Sequence, residues 1–255
     1  MKTNHGTAPK SIVSAALLAG CLLVPLSPST AANVAPLAAT TATSNANSVY
    51  DSFSEWQGVT HAELAQQWTQ WFYSIPLHVN PIQDTTGIQC GINQQGPIWF
   101  IEGPIPPSAP ATNTLQCNIP YGKAIFGGVF AYVNDYPCPE PPPFEPGTTP
   151  PQTLADFLTE GANGYINLLT NYGAELDGKR LKLYRVTSGL FPFTAAIDLQ
   201  AVDPCVTGSP ELGVTAGYFF AIDSLSPGTH TLHIHFVPPG GALVNNTFKL
   251  TIMNK

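Results

Sequence analysis

The residues best placed to do chemistry lie near the C-terminus, in His230-Thr231-Leu232-His233-Ile234-His235-Phe236. On a strand, side chains two apart share a face. His233 and His235 therefore point one way while Leu232, Ile234 and Phe236 point the other. Two imidazoles about 6–7 Å apart along a strand can hold a divalent transition metal once a neighbouring strand supplies a third ligand. A solvent-facing pair on a sheet needs no such role, and spacing alone does not decide between the two. No other cofactor is implied. The second chemistry open to the chain is glycoside hydrolysis, which needs two carboxyl groups flanking the scissile bond. Glu102, Asp135, Glu140 and Asp198 all fall near the ends of expected strands or in loops, and Glu102 and Asp135 are the candidates carried forward. No Gly-x-Ser-x-Gly, His-Glu-x-x-His or phosphate loop occurs, so no nucleophile or nucleotide motif adds to them.

Asp84 is the remaining catalytic candidate. Asp84-Thr85-Thr86-Gly87 invites comparison with the Asp-Thr-Gly of aspartic proteases, but it has an extra threonine, no apolar strand before the acid and no second copy. A turn in which the Asp84 carboxylate takes backbone amides and Gly87 closes the bend is the simpler reading. Trp68, Trp71 and Trp99 all fall between Thr60 and Gly103. Exposed, they would make a sugar-stacking platform; on the inner face of a helix and strand, they would be core.

The elements that must position these groups follow from pattern. Thr60-His61-Ala62-Glu63 reads as a capping box, and Leu64, Trp68, Trp71 and Phe72 follow as one apolar stripe. A helix is thus expected over Thr60–Ser74, stopped by Pro76. Ile98 to Ile101 is a continuous apolar run, the mark of a strand covered on both faces. Cys117 to Val133 reads as a pair of strands with a turn at Tyr121-Gly122-Lys123 and a bulge or bend at Gly127-Gly128. Pro137 to Pro151, with eight prolines, reads as an extended loop. A second helix is expected over Leu154–Tyr172, capped by Thr153 and stopped by Gly173. Tyr218–Leu225, Thr229–Val237 and Thr247–Ile252 read as three strands of a meander. The fold class expected is mainly β: an antiparallel sandwich, immunoglobulin-like or jelly-roll-like, with two packed helices.

Charge and composition bound the setting. Beyond residue 32 the chain holds all 16 acids and seven of nine basic residues, a net charge of 7 − 16 = −9. Those seven are scattered apart from Lys179, Arg180, Lys182 and Arg185, which argues against nucleic acid as a partner. Only 10% of residues are charged, while Pro (26) and Gly (22) are abundant, as in loop-rich extracellular proteins. Residues 1–32 read as a signal peptide: Lys2 and Lys10 precede an apolar run from Ile12 to Leu26, and Ser27 to Ala32 are small. That run is shorter than the roughly 20 residues a spanning helix needs, and nothing later is apolar enough to cross a membrane. Leu18-Ala19-Gly20-Cys21 also fits a lipobox, so membrane contact through a lipid on Cys21 stands beside simple secretion. Residues 33–49 are Ala, Thr, Ser and Asn, a flexible linker, and residues 50–255 form the single domain. Cys90, Cys117, Cys138 and Cys205 are an even set in an exported chain and read as two disulfides. Three pairings are open; Cys90–Cys117 with Cys138–Cys205 is favoured, because the first would clip the Trp99 strand between its ends.

Several pieces with linked spacing resemble a widespread family of exported bacterial proteins of unassigned function. They are Trp68-x-x-Trp71 with Ser74-Ile75-Pro76, then Asn80-Pro81 with Asp84-Thr85-Thr86-Gly87 and Cys90. Gln95-Gly96-Pro97-Ile98-Trp99-Phe100-Ile101-x-Gly103, Cys117-x-Ile119-Pro120-x-Gly122-Lys123-Ala124 and Ser226-Pro227-Gly228-x-His230-Thr231-Leu232-His233 complete the set. The resemblance implies export and a shared fold, and no catalytic residue. The resulting expectation is a non-catalytic envelope or secreted module that binds a protein or glycan partner. The alternatives are a secreted polysaccharide hydrolase with loop carboxylates, or a surface metal-binding protein.

Overall fold

The computed structural model describes residues 49–50, 55–105, 111–138, 144 and 152–254. The expected signal peptide with Cys21, the linker apart from Val49, Glu140 and most of the proline-rich loop lie outside the described residues. In chain order the strands are β1 Val49–Tyr50, β2 Glu55–Trp56, β3 Val59–Thr60, β4 Ile98–Ile101, β5 Ala111–Ile119, β6 Ala124–Tyr136, β7 Thr170–Leu176, β8 Lys179–Leu181, β9 Tyr184–Thr187, β10 Phe191–Thr194, β11 Pro210–Ile222, β12 Gly228–Val237 and β13 Val244–Ile252. Two α-helices join them, α1 His61–Tyr73 and α2 Leu154–Ile166.

The strands make a six-stranded sheet in the order β1-β8-β7-β12-β13-β5 and a five-stranded sheet, β10-β11-β6-β4, with β9 also on β11. Both are mixed: β1–β8, β4–β6 and β5–β13 pair in parallel and the remaining neighbours antiparallel. Inward residues of the six-stranded sheet, Leu232, Ile234, Phe236, Phe248 and Leu250 among them, meet Ile125, Val129, Phe220 and Ile222 of the other and the buried side of α2. The opposite face of the five-stranded sheet builds a second core with α1, where Phe126 stacks on Phe219 at 5.1 Å. Strand β4 serves both cores in alternation, Trp99 and Ile101 into the first, Ile98 and Phe100 into the second. This two-sided burial is why its sequence is an unbroken apolar run.

Helix α1 has the expected capping box: Thr60 accepts from the Glu63 amide, and Glu63 accepts from the Thr60 amide at 2.8 Å. Helix α2 is shorter than its apolar pattern implied, ending at Ile166 with Asn167 as cap. Gly161 and Gly164 each weaken it by about 1 kcal/mol relative to alanine, and the chain beyond gains more by pairing as β7 with β12. Leu168 and Tyr172, inside the expected helix range, lie beyond its end and are exposed. Gly173 is not a helix stop but a strand residue under the His235 ring, where an added Cβ would lie 2.6 Å from Cε1. The expected meander also gives way. β11 belongs to the five-stranded sheet, and only β12 and β13 form a hairpin. β11 is buried nearly end to end whereas β12 and β13 alternate, and a strand with two apolar faces must lie between two layers. Likewise β5 and β6, joined at Tyr121-Gly122, enter different sheets. The irregularity near Gly127-Gly128 is real: the β6–β11 register slips between Tyr218 and Phe219, opposite Phe130 and Gly128.

Candidate functional site

The three tryptophans do not make a platform. Trp68, Trp71 and Trp99 are 4%, 7% and 7% exposed. Trp68 Nε1 donates to the Ile101 carbonyl at 3.1 Å and Trp71 Nε1 to the Ile92 carbonyl at 2.9 Å. Amphipathic burial of α1 places them inward, and a stacking surface needs free ring faces. Trp68, with Phe72 and Tyr73, does wall a cavity of about 290 Å³ that runs beside Ala131, Val133 and Asp135 of β6.

Glu102 lines this cavity, one residue past β4. Its Oε1 accepts from the Gly103 amide at 3.0 Å. Its Oε2 lies 3.6 Å from where a Cβ on Gly128 would stand, beside the Trp68 and Phe219 rings. The residue is partly buried and lines the cavity. Burial pushes its pKa up to about 8, opposed only by the Gly103 hydrogen bond. No second carboxyl acts on it. Asp135 lines the same cavity but lies seven residues beyond Gly128 on β6, roughly 20 Å at about 3.3 Å per residue. The two candidates therefore do not form the pair, about 5–9.5 Å apart, that glycoside hydrolysis requires.

Asp135 instead joins two acids that sequence reasoning passed over. Its partner on β11 is Gly213, two residues from Glu211, so Asp135 and Glu211 are diagonal neighbours on the face toward α1. Asp203 approaches from the loop after the 3₁₀ turn Ile197–Ala201. Its Oδ2 accepts from the Tyr73 hydroxyl at 2.7 Å and its Oδ1 from the Cys205 amide at 3.1 Å. Glu211 Oε1 accepts from the Thr207 amide and hydroxyl, both at 2.8 Å. Asp135 and Glu211 are 3% and 2% exposed, yet Asp135 Oδ2 and Glu211 Oε2 have no hydrogen-bond donor. Burial foremost, then Asp203 and Glu211, raise the Asp135 pKa to about 8. A signal for this cluster existed in the sequence: Asp135 precedes Cys138 by three residues and Asp203 precedes Cys205 by two. The disulfides are Cys90–Cys117 and Cys138–Cys205, and the second draws the two acids together. Donor atoms of Asp135, Asp203 and Cys205 lie within 4.8 Å of one another, but the bridged Cys205 sulfur is no thiolate and drops out as a metal ligand.

The other candidates are dispersed. Asp84 is a turn anchor: Oδ1 accepts from Thr86 and Gly87 and Oδ2 from Gln89, and these bonds hold its carboxyl below the ordinary value against burial. Asp198 accepts from the Leu77 amide at 3.0 Å. His233 and His235 share the outer face of β12 with ring centroids 5.5 Å apart. Glu175 of β7 stands opposite His233, but among the described residues no third histidine, cysteine or carboxylate has a ligand atom within 4.8 Å of both. Burial first, then His233, lowers the His235 pKa. His230 Nδ1 pairs with Asp177 at 2.7 Å.

No family model matches this chain. No curated protein matches either. One solved structure, PbICP-C in complex with falcipain-2, contains a chain that aligns in full with 62% of this one, at 9% identity and TM-score 0.21. A likeness that slight carries no argument. The two disulfides fit an oxidising compartment. Among the described residues no helix is long and apolar enough to cross a membrane.

Proposed function

We propose that this chain is an exported, non-catalytic module of the cell envelope or secreted space, held to the membrane at most by a lipid on Cys21. Its function is to bind a glycan, one sugar ring of which enters the cavity beside β6. The observation that carries this reading is the cavity's combination of walls and ends. The Trp68, Phe72 and Tyr73 residues give it aromatic walls, and Glu102 and Asp135 line it as acids at separate points. Sugars are bound by that division of labour: apolar ring contacts supply area, and a few fixed polar groups read hydroxyls. About 290 Å³ is at the small end for ligand pockets, which suits a single ring. Hydrolysis is disfavoured by the isolation of Glu102 from any second acid. The motifs from Trp68 to His233 and the signal-like N-terminus agree with export.

A calorimetric or array screen of mono- and oligosaccharides, on protein lacking residues 1–32, tests the reading. The Val202→Trp variant supplies the control, since Val202 is half exposed at the cavity and tolerates a larger side chain. Binding that falls at least tenfold in Val202→Trp supports the proposal. Binding unaffected by that variant, or polysaccharide turnover abolished by Glu102→Gln, overturns it.

A further inference from the structure

We propose that Asp135 and Glu211 share one proton between their inner carboxyl oxygens and so form a pH-sensitive clasp that joins the ends of β6 and β11. The inference does not rest on the sugar-binding reading.

Asp135 stands near the end of β6 and Glu211 near the start of β11, and the register of the two strands makes them diagonal neighbours. Both are almost wholly buried. Two ionised carboxylates side by side in an interior repel each other and lack water, so one of them keeps its proton. The oxygens show where that proton lies. Glu211 Oε1 is taken up by the Thr207 amide and hydroxyl. The oxygens left without a donor are Asp135 Oδ2 and Glu211 Oε2, one on each acid. A buried carboxyl oxygen with no partner is strongly unfavourable. Glu211 lies within hydrogen-bonding reach of Asp135, and a single O–H between the two oxygens satisfies both.

The surroundings keep the proton there. Asp203 adds a third carboxyl beside Asp135, held by the Tyr73 hydroxyl of α1 and the Cys205 amide. Glu102 and Tyr132 share the cavity with Asp135, and Tyr136 with Glu160 and Tyr165 of α2 share a neighbouring depression that Asp135 also lines. On the other side of β11, Phe193 of β10 pairs with Glu211 and brings no charge. Among the described residues no lysine, arginine or histidine lines either space. Nothing there offsets a second negative charge. The Asp135 pKa accordingly stands at about 8, raised by burial first, then by Asp203 and Glu211. The Cys138–Cys205 bridge lies at the same end, so an opened clasp leaves its two segments tethered.

Infrared difference spectroscopy of the folded protein tests the shared proton, in a Glu102→Gln background that removes the other raised acid. A protonated carboxyl C=O band is expected at neutral pH. It should fade as pH rises through about 8 and be absent once Asp135→Asn or Glu211→Gln is added. Hydrogen exchange reads the clasp. The opened chain ionises both acids in the ordinary carboxyl range, whereas the folded pair holds one proton until about pH 8. Protection at the Thr207 and Cys205 amides should therefore fall, by up to about tenfold per pH unit, from about pH 4 to about pH 8 and level off above. In Glu211→Gln the amide is a permanent donor to Asp135, and that slope should be lost. If Glu211→Gln does not fold, Asp135→Asn carries both readings. No acid band at neutral pH, a band that survives these substitutions, or an unchanged slope in the variant overturns the proposal.

Discussion

Glu102 should make the protein progressively less stable as pH rises through neutrality. In the unfolded chain its carboxyl titrates near 4.5, whereas in the fold burial lifts it to about 8. Between those values the folded protein holds a proton that the unfolded chain has released. Stability therefore falls with pH, by at most about 1.4 kcal/mol per pH unit. The whole lift corresponds to about 5 kcal/mol, fully present as a penalty only above pH 8 and absent below 4.5. The side chain is only partly buried, so solvent screens part of this, and about 2–3 kcal/mol is the working expectation. Glu102→Gln keeps the Gly103 hydrogen bond and the shape but cannot ionise. Urea unfolding followed by tryptophan fluorescence from about pH 5 to pH 8.5 should show the two proteins converging at the acid end. The variant should become the more stable by that margin at the alkaline end. Other titrating groups, His230 included, cancel in the difference. Parallel stability curves for wild type and Glu102→Gln would refute the assignment of a desolvated acid facing the cavity.

Further outcomes follow from the same reasoning. His230, raised in pKa by Asp177 and the Ser226 carbonyl, contributes stability that is complete below its unfolded pKa and lost as pH rises through the folded one. The effect should be roughly 1 kcal/mol for a partly exposed pair, absent in His230→Gln, and visible in an NMR titration of the imidazole. Asn80, 1% exposed, donates to the Phe72 and Ile75 carbonyls and accepts from the Ile82 amide. Asn80→Ala should therefore lose about 2–4 kcal/mol in denaturant titration. Opening Cys90–Cys117 or Cys138–Cys205, with sequence separations of 27 and 67, should lower stability by about 3.6 and about 4.4 kcal/mol on chain-entropy grounds. Paired Cys→Ala variants measure both. Gly87→Ala should be among the most damaging small changes, since its Cβ would meet the Gln116 backbone at 2.3–2.9 Å where φ is +87°.

Local pattern was a good guide wherever the signal was itself local. The α1 capping box, the two-faced burial of β4 and the Asp84 turn were all legible because each rests on contacts a few residues apart. What pattern misjudged was partnership. Leu168 to Tyr172 has helix-compatible apolar spacing, and only the presence of β12 makes part of it a strand. The β-rich C-terminus was plain, but not that β11 and β12, separated by a short turn, enter different sheets. The site was half legible for the same reason. Glu102 and Asp135 stood out as acids near strand ends, yet neither their distance apart nor the convergence of Asp203 and Glu211 on Asp135 is encoded in neighbouring residues. The tryptophan stripe shows the converse, since periodicity that predicted burial also argued against a surface role.

The parallel pairing of β5 with β13 bears on when this protein can fold. Ala111 aligns with Val244 and Ile119 with Ile252, so strands 133 residues apart must meet before the six-stranded sheet is complete. Chain closure over such a distance is slow relative to helix or hairpin formation. A chain made N-terminus first holds β5 without its partner over the whole stretch between Ile119 and Val244. Until β13 arrives, β5 has no strand partner among the described residues. The five-stranded sheet, whose strands end at Ile222, can therefore close before the six-stranded sheet gains β12 and β13.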